Sequence, residues 1–370
     1  MPLGYNTFNP DDYSGDVQNA VSAARFAGGA VVLSPKIYNL NSKIKLDWNG
    51  ASIGCLIAGA KAILNVSGTS DAIELGGSLI DQCVHDLKIT SPSPRISGGS
   101  GIVCEIGTTR DQTRIENVFI EKQYFGAKLD AIGLGYIRDL TVVTSVSHGI
   151  YLYNTLAAPM QWNFYGRNLV AANGGTGFLI QANPNFGPIS VGDVHGISSY
   201  ANGAYGAAFI GASNAPLQGV RFRDFFLGAD ANDCLFMDTY GEQHAISNGY
   251  IEASGLRGFY GTANNRLSNI TNLQVRDCNR MGIAYSGNDS TFTNCHSISN
   301  GRAGISPYGA WIEGSRNQII GGRFSNQIGI ATQDWGIVFS TISNHQAIGT
   351  NTIGNNIGGI TGSYTGAGNV

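Results

Sequence analysis

Apolar and polar residues alternate along this chain in short runs. One six-residue pattern keeps returning: apolar, any residue, Asn or Asp, apolar, any residue, apolar. It reads Val84-His85-Asp86-Leu87-Lys88-Ile89, then Ile115-Glu116-Asn117-Val118-Phe119-Ile120. Further copies centre on Asp139, Asn168, Asp193, Asp224, Asn248, Asn272 and Asn294, 22 to 31 residues apart, with a degenerate last copy at 319–324. A second element interleaves with the first, a small residue followed by alternating apolar positions. Examples are Gly149-Ile150-Tyr151-Leu152, Gly177-Phe178-Leu179-Ile180 and Gly336-Ile337-Val338-Phe339. Alternation with a period of two sends side chains to opposite faces of a strand. Each repeat therefore predicts at least two short strands with a turn between them, and the recurrence predicts a solenoid of stacked coils.

Stacked coils lie about 4.8 Å apart, the spacing of paired strands. At that distance an amide at the same turn of every coil can bond to the next coil, as in other stacked β structures. Asp86, Asn117, Asp139, Asn168, Asp193, Asp224, Asn248, Asn272 and Asn294 are read as this structural ladder, which removes four aspartates from the catalytic candidates. The start of the chain differs. Residues 16–27 have helical spacing, with Val17, Ala20, Val21 and Ala24 on one face, Ser14 or Asp16 as the N-cap and Gly28-Gly29 as the stop. An open solenoid end is an exposed sheet edge, and a helix there covers it. The pattern predicts a cap over residues 1–50 (the helix plus the first strands) and a parallel β-helix of about ten coils over 51–370, in one continuous unit.

Composition agrees. Charged residues are only 13% of the 370, glycines number 52, and hydrophobic content is 42%, which is ample for a core. The net charge of −3 comes with no basic block, which argues against nucleic acid. No apolar run is long enough for a membrane span, and residues 1–9 lack the features of a secretory leader. The six cysteines form no CxxC pair and read as buried thiols. No metal or cofactor motif stands out; Asp230-Ala231-Asn232-Asp233 is a weak cation signal.

The opening segment resembles that of the pectate-lyase-like right-handed parallel β-helix superfamily. The matching residues are Asp16, Gln18, Val21, Ala24, Gly28, Gly29, Val31, Leu33, Pro35, Tyr38, Leu40, Ile44 and Leu46; the usual Gly before Tyr38 is missing. With the coils downstream, the resemblance spans nearly the whole chain and is most similar to bacteriophage tailspike depolymerases. It implies a polysaccharide lyase or glycoside hydrolase acting on a bacterial capsular or exopolysaccharide, a side-by-side homotrimer, and a place in the virion tail or outside the cell. The rival reading is a glycan-binding adhesin or virion structural protein. The epimerase signature Asp-Pro-His-Glu is absent.

Candidate chemistry sits on outward positions. The first outward position after each ladder residue holds Lys88, Phe119, Thr141, Val170, His195, Phe226, Tyr250, Gln274, His296 and Arg323. The next holds Thr90, Glu121, Val143, Ala172, Ile197, Gly228, Glu252, Arg276 and Ile298. Phe226, Tyr250, Glu252, Gln274, Arg276 and His296 gather within a few coils, and aromatics beside charges suit a sugar face and its carboxylates. Glu252 is expected one coil from Arg276, as acid or base beside a carboxylate clamp. A second group, Tyr151, Tyr153, Asp238, Tyr240 and Tyr260 with Glu242 and His244 in the following loop, is expected on another outward face. Glu105 and Asp130 fall in the Asp238 column. The predicted catalytic set is Glu252, Arg276 and Asp238. The predicted sugar contacts are Tyr250, Tyr260, Phe226, Gln274, His296, Glu242 and His244.

Overall fold

The computed structural model of the chain describes residues 6–57, 59–108, 110–130, 134–156, 160–327, 332–340, 344–362 and 364–367. Each strand pairs in parallel with the strand one coil further on. A sheet of 13 strands runs from Ile44–Leu46 to Gly358–Gly362, a sheet of 22 strands takes nearly all the others, and Leu79–Ile80 pairs with Arg110–Asp111 in a separate two-stranded sheet. Each coil enters the larger sheet on both sides of the Asn/Asp position, as Asn269–Thr271 and Gln274–Arg276 do. The solenoid thus has a first face before that position, a second face after it, and a third face on the smaller sheet. There are about twelve coils, slightly more than the sequence pattern suggests. The later coils escape the pattern because Gly321 and Gly349, with φ of 64° and 62°, replace asparagine at the corner.

The ladder has a sharper cause than coil-to-coil bonding alone. Asp86, Asn117, Asp139, Asn168, Asp224, Asn248, Asn272 and Asn294 all turn the corner in the left-handed region, with φ between 51° and 53°. Among residues with a side chain, Asn and Asp enter that region most readily. Bonding is directional: each asparagine Nδ2 donates to the residue one coil earlier. Asn117 reaches Asp86 at 2.6 Å and Asn168 reaches Asp139 at 3.0 Å. Asn248, Asn272 and Asn294 continue from Asp224 at 3.0, 3.1 and 2.9 Å. A carboxylate has no N–H to pass back, so every aspartate begins a run and asparagines extend it.

Asp193 does not belong to this ladder. Leu169 pairs with Ile197, which puts Gly196, with φ of 68°, at the corner. Asp193 instead lies on the first face opposite Tyr165 and Arg221. The apolar pattern also fits three residues earlier, and the glycine that serves the corner carries no ladder signature. A second corner, after the second face, is left-handed at Lys122, Thr144, Asn173, Ala201, Ala229, Ala253, Asp277 and Ser299. These residues share no chemistry, so no sequence motif announces them.

The helix forms over Val17–Ala27. Asp16 accepts from the backbone N–H groups of Gln18 and Asn19, and Gly28 ends the helix at φ 67°. Its buried face is Val17, Ala20, Val21 and Ala24, as the spacing predicts; Ser14 instead closes the preceding 3-10 turn. Ala30–Leu33 already pairs with Ser52–Cys55, so the strands of the cap segment are solenoid strands. One apolar core runs from the helix to the last coils, with Phe178, Phe209, Phe222 and Phe225 in ring contact at its centre. All six cysteines are buried free thiols; burial pushes Cys278 and Cys295 up to about 12.

Asn272 both donates and accepts in the longest run and holds a left-handed backbone. Asn272→Ala should lower the unfolding free energy by about 2 kcal/mol, from strained φ plus lost bonds, and Asn272→Gly by roughly half as much. Urea denaturation measures both. Equal losses would mean that the left-handed corner is not what asparagine supplies.

Candidate functional site

On the second face the outward columns follow strand register. The first runs Val170, Ser198, Phe226, Tyr250, Gln274, His296, Arg323. The second runs Ala172, Tyr200, Gly228, Glu252, Arg276, Ile298, Ser325. Ser198 and Tyr200 stand where the sequence pattern places His195 and Ile197. This is the same three-residue shift that removes Asp193 from the ladder: Ile197 points into the core, and His195 lies on the first face.

The predicted neighbours Tyr250, Glu252 and Arg276 form one bonded group. Tyr250 Oη donates to Glu252 Oε2 at 3.0 Å, and Arg276 Nη2 and Nε reach the same oxygen at 2.9 and 3.3 Å. The guanidinium lies 5.3 Å from the centroid of the Tyr250 ring, and the Phe226 ring is stacked on Tyr250 from the preceding coil at 5.8 Å and 11°. Opposite Glu252 sits Gly228, where a Cβ would come within 3.3 Å of Glu252 Cγ, so the glycine leaves room for the carboxylate to lie over the coil. Burial and the Glu252 hydrogen bond hold the Tyr250 phenol above its ordinary pKa, and the same carboxylate holds Arg276 above its own. Gln274 is exposed one coil on, and His296 follows half-buried, its pKa lowered by burial and by Arg323.

Sequence reasoning missed two members. Asp277, at the left-handed corner, lies 3.6 Å from Arg276 Nε and accepts from Arg302 Nη2 at 2.8 Å. The corner residue lies outside the alternation on which the columns were built.

Asp238 and Tyr260 are on the third face, in a different sheet from Glu252 and Arg276, with the corner segment 253–258 between Glu252 and Tyr260. Asp238 Oδ1 accepts from Thr262 Oγ1 at 2.7 Å and Asn264 Nδ2 at 2.8 Å. Tyr260 stands in an aromatic row, with Phe236 at 5.6 Å and Tyr205 a further 5.0 Å from Phe236. Arg257 covers the Tyr260 ring at 3.4 Å and is held by two bonds to Asp233 at 2.8 and 2.9 Å. Glu242 is half-buried beside Arg266 in a backbone bridge.

His244 presents no surface to a ligand. It is fully buried, with Nδ1 accepting from the Val220 N–H at 3.4 Å and Nε2 bonded to Thr239 Oγ1 at 2.8 Å, and burial drives its pKa down to about 4. The sequence put it in a loop; the fold tucks that loop under the coil as a brace. Asp130 is likewise buried, accepting from the backbone of Thr155 at 2.9 Å, while Glu105 pairs with Lys45 at 3.2 Å. Asp230 and Asp233 do not converge. Asp230 turns inward to Asn202 and Asp233 outward to Arg257. Among the described residues no cluster of His, Cys, Asp and Glu is arranged to hold a metal.

No protein-family model matches this chain, and no curated protein matches its sequence. Its fold does match solved structures. Tailspike protein 3 of bacteriophage CBA120 superposes with a TM-score of 0.64 and 12% identity, over 98% of this chain and 61% of that one. The receptor-binding protein of bacteriophage Det7, a podoviral tailspike in a myovirus, gives 0.57 and 13%, over 97% and 76%. The A-module of the mannuronan C-5 epimerase AlgE6 of Azotobacter vinelandii gives 0.55 and 14%, over 98% of each chain. At these identities the likeness is one of fold.

Two of the perturbed buried groups, His244 and Asp230, bear on acid stability with opposite signs. His244 titrates near 6.5 unfolded but about 4 folded, so the unfolded chain binds more protons in between. Stability should therefore fall as pH drops through that window, by about 3 kcal/mol at most. Asp230 acts oppositely: burial raises its pKa from 3.8 to about 6, so its contribution grows as pH falls over that range. Denaturant midpoints against pH should show a shallower acid loss in His244→Gln and a steeper one in Asp230→Asn. Parallel curves for all three proteins would refute both assignments.

Proposed function

We propose that the protein binds and cleaves an acidic polysaccharide along the second face, with Tyr250, Glu252 and Arg276 as the reacting group. The observation that carries this reading is their mutual contact: phenol, carboxylate and guanidinium within hydrogen-bond distance, beside stacked rings, on positions that coil stacking does not use. An isolated exposed ion pair stabilises by only about 0–1 kcal/mol, so stability gives little reason for it. The fold is also carried by phage tailspikes and by an enzyme named for the polysaccharide mannuronan, which supports a glycan as the ligand.

Of the two bond-breaking chemistries, β-elimination suits this face better. Hydrolysis uses two carboxylates flanking the bond. Between Val170 and Arg323 the two outward columns hold one, Glu252, and the corner carboxylate beside them, Asp277, is held by Arg276 and Arg302. In the elimination reading Arg276 exchanges Glu252 for a uronate carboxylate of the substrate and neutralises the charge that builds there. Glu252 takes the proton beside that carboxylate, the electron pair forms the carbon–carbon double bond, and the glycosidic oxygen leaves with the proton of Tyr250. The Tyr250–Glu252 hydrogen bond, 3.0 Å in the free protein, then returns the proton to the phenol. Phe226 and Gln274 extend the contact along the chain, with His296 beyond. The tailspike resemblance adds a side-by-side trimer and a place in the virion tail or outside the cell.

Glu252→Gln, Tyr250→Phe and Arg276→Ala should each cut turnover of the cleaved polysaccharide by ~10²-fold or more with the solenoid still folded. New reducing ends accompanied by the ultraviolet absorbance of an unsaturated uronate mean elimination. Reducing ends without it, together with loss of activity in Asp238→Asn, mean hydrolysis from the third face. Near-normal rates in all four variants would place the site elsewhere, and binding without cleavage of any glycan would favour an adhesin. Light scattering at three times the 39.0 kDa chain mass checks the trimer, and a single 39.0 kDa species would refute it.

A further inference from the structure

The first face carries an arrangement that the second-face reading does not use. Two outward columns run side by side over successive coils: Arg114, Tyr136, Tyr165, Asp193, Arg221, and Glu116, Arg138, Arg167, His195, Arg223. Three of the five arginines have acidic partners: Arg114 with Asp81 at 2.7 Å, Arg138 with Glu116 at 3.1 Å, and Arg223 with Asp193 at 2.9 Å. Arg167 and Arg221 are exposed and form no ion pair among the described residues. Tyr136 and Tyr165 are 42% and 47% exposed, with rings stacked at 5.5 Å and 12°. Arg114, Tyr136, Arg138, Tyr165, Arg167 and His195 are among the side chains lining an open cleft of about 430 Å³, with Arg221 two coils beyond Tyr165 in the same column.

Stacking alone does not favour this order. Arg138 and Arg167 are direct register neighbours, and like charges opposite each other in a sheet destabilise it. A chain of net charge −3 nevertheless stacks Arg167 on Arg138 there, next to two open rings. Guanidinium groups bind carboxylates through paired hydrogen bonds, and tyrosine faces take the apolar face of a sugar ring. An extended pyranose chain advances by about one coil height per residue, which matches the rise between successive positions in these columns.

We propose that the first face is a second, non-catalytic site for a carboxylate-bearing polysaccharide lying along the solenoid axis, with Arg167 and Arg221 binding its carboxylates and Tyr136 and Tyr165 its rings. It is separated from Glu252 by the Asn/Asp corner and anchors a chain without cutting it. The site stands whether or not the second face is catalytic.

The test uses the full chain carrying Glu252→Gln, so that no probe is consumed, with polygalacturonate, alginate and hyaluronate as acidic probes. Dextran serves as the neutral control and a thymidine oligonucleotide as the other polyanion. Affinity electrophoresis should show retardation by at least one acidic polysaccharide and none by dextran. Arg167→Ala with Arg221→Ala, and separately Tyr136→Ala with Tyr165→Ala, should each weaken that binding by about tenfold or more with an unchanged circular dichroism spectrum. Four results would overturn the proposal: no retardation by any of the three, undiminished binding in both double variants, equal retardation by dextran, or stronger retention by the oligonucleotide. A change in light-scattering mass in the arginine variant would also overturn it, by assigning the face to contact between copies of this chain.

Discussion

Parallel stacking at one strand spacing is the constraint on which this molecule depends. Once a strand pairs in register with the strand a coil later, every position of the coil recurs in a column about 4.8 Å apart. A residue can then satisfy its column only by chemistry that tolerates a like neighbour above and below. Inward columns do so with apolar side chains that pack on one another, as the phenylalanines around Phe222 do. The corner column does so with asparagine, which can take the left-handed turn, donate to one neighbour and accept from the other. Aspartate can only accept, which confines Asp86, Asp139 and Asp224 to the start of each run.

Charge is the one property such columns accommodate badly. Most ionisable groups here alternate in sign from coil to coil, as Glu252 with Arg276 and Asp289 with Arg316 do. Function becomes visible where the columns carry more than stacking needs. On the second face a phenol and a guanidinium share one carboxylate beside stacked rings. On the first face one guanidinium sits on another. Because the two faces meet only at the ladder corner, one solenoid can present separate surfaces to a long polymer at no cost to its core.

The parts legible in advance are those written in recurring residue types. The helix over Val17–Ala27 was read from its spacing, Asp16 and Gly28, and the buried thiols from the absence of ligand spacing. The contact of Glu252 with Arg276 followed from counting four residues past each ladder position, because alternation cannot drift over so short a strand. Counting failed at Asp193, where Gly196 took the corner and moved His195 to another face. It failed again at His244, since a polar loop gives no sign of whether its imidazole faces water or braces Thr239 from inside.

The repeat, the Asn/Asp corner chemistry and the membership of each outward column near a ladder residue are written in the residues themselves, because these are local and the backbone enforces them with a period of two. How the columns stand around the axis emerges only when the coils pair. That pairing put Asp238 and Tyr260 on a separate sheet from Glu252 and drew Asp277 to Arg276. It also aligned Arg138, Arg167 and His195 across coils of unequal length. The reason is that turn lengths differ from coil to coil. The sequence distance between stacked residues is therefore not constant, and only backbone hydrogen bonding between neighbouring coils sets which residues meet.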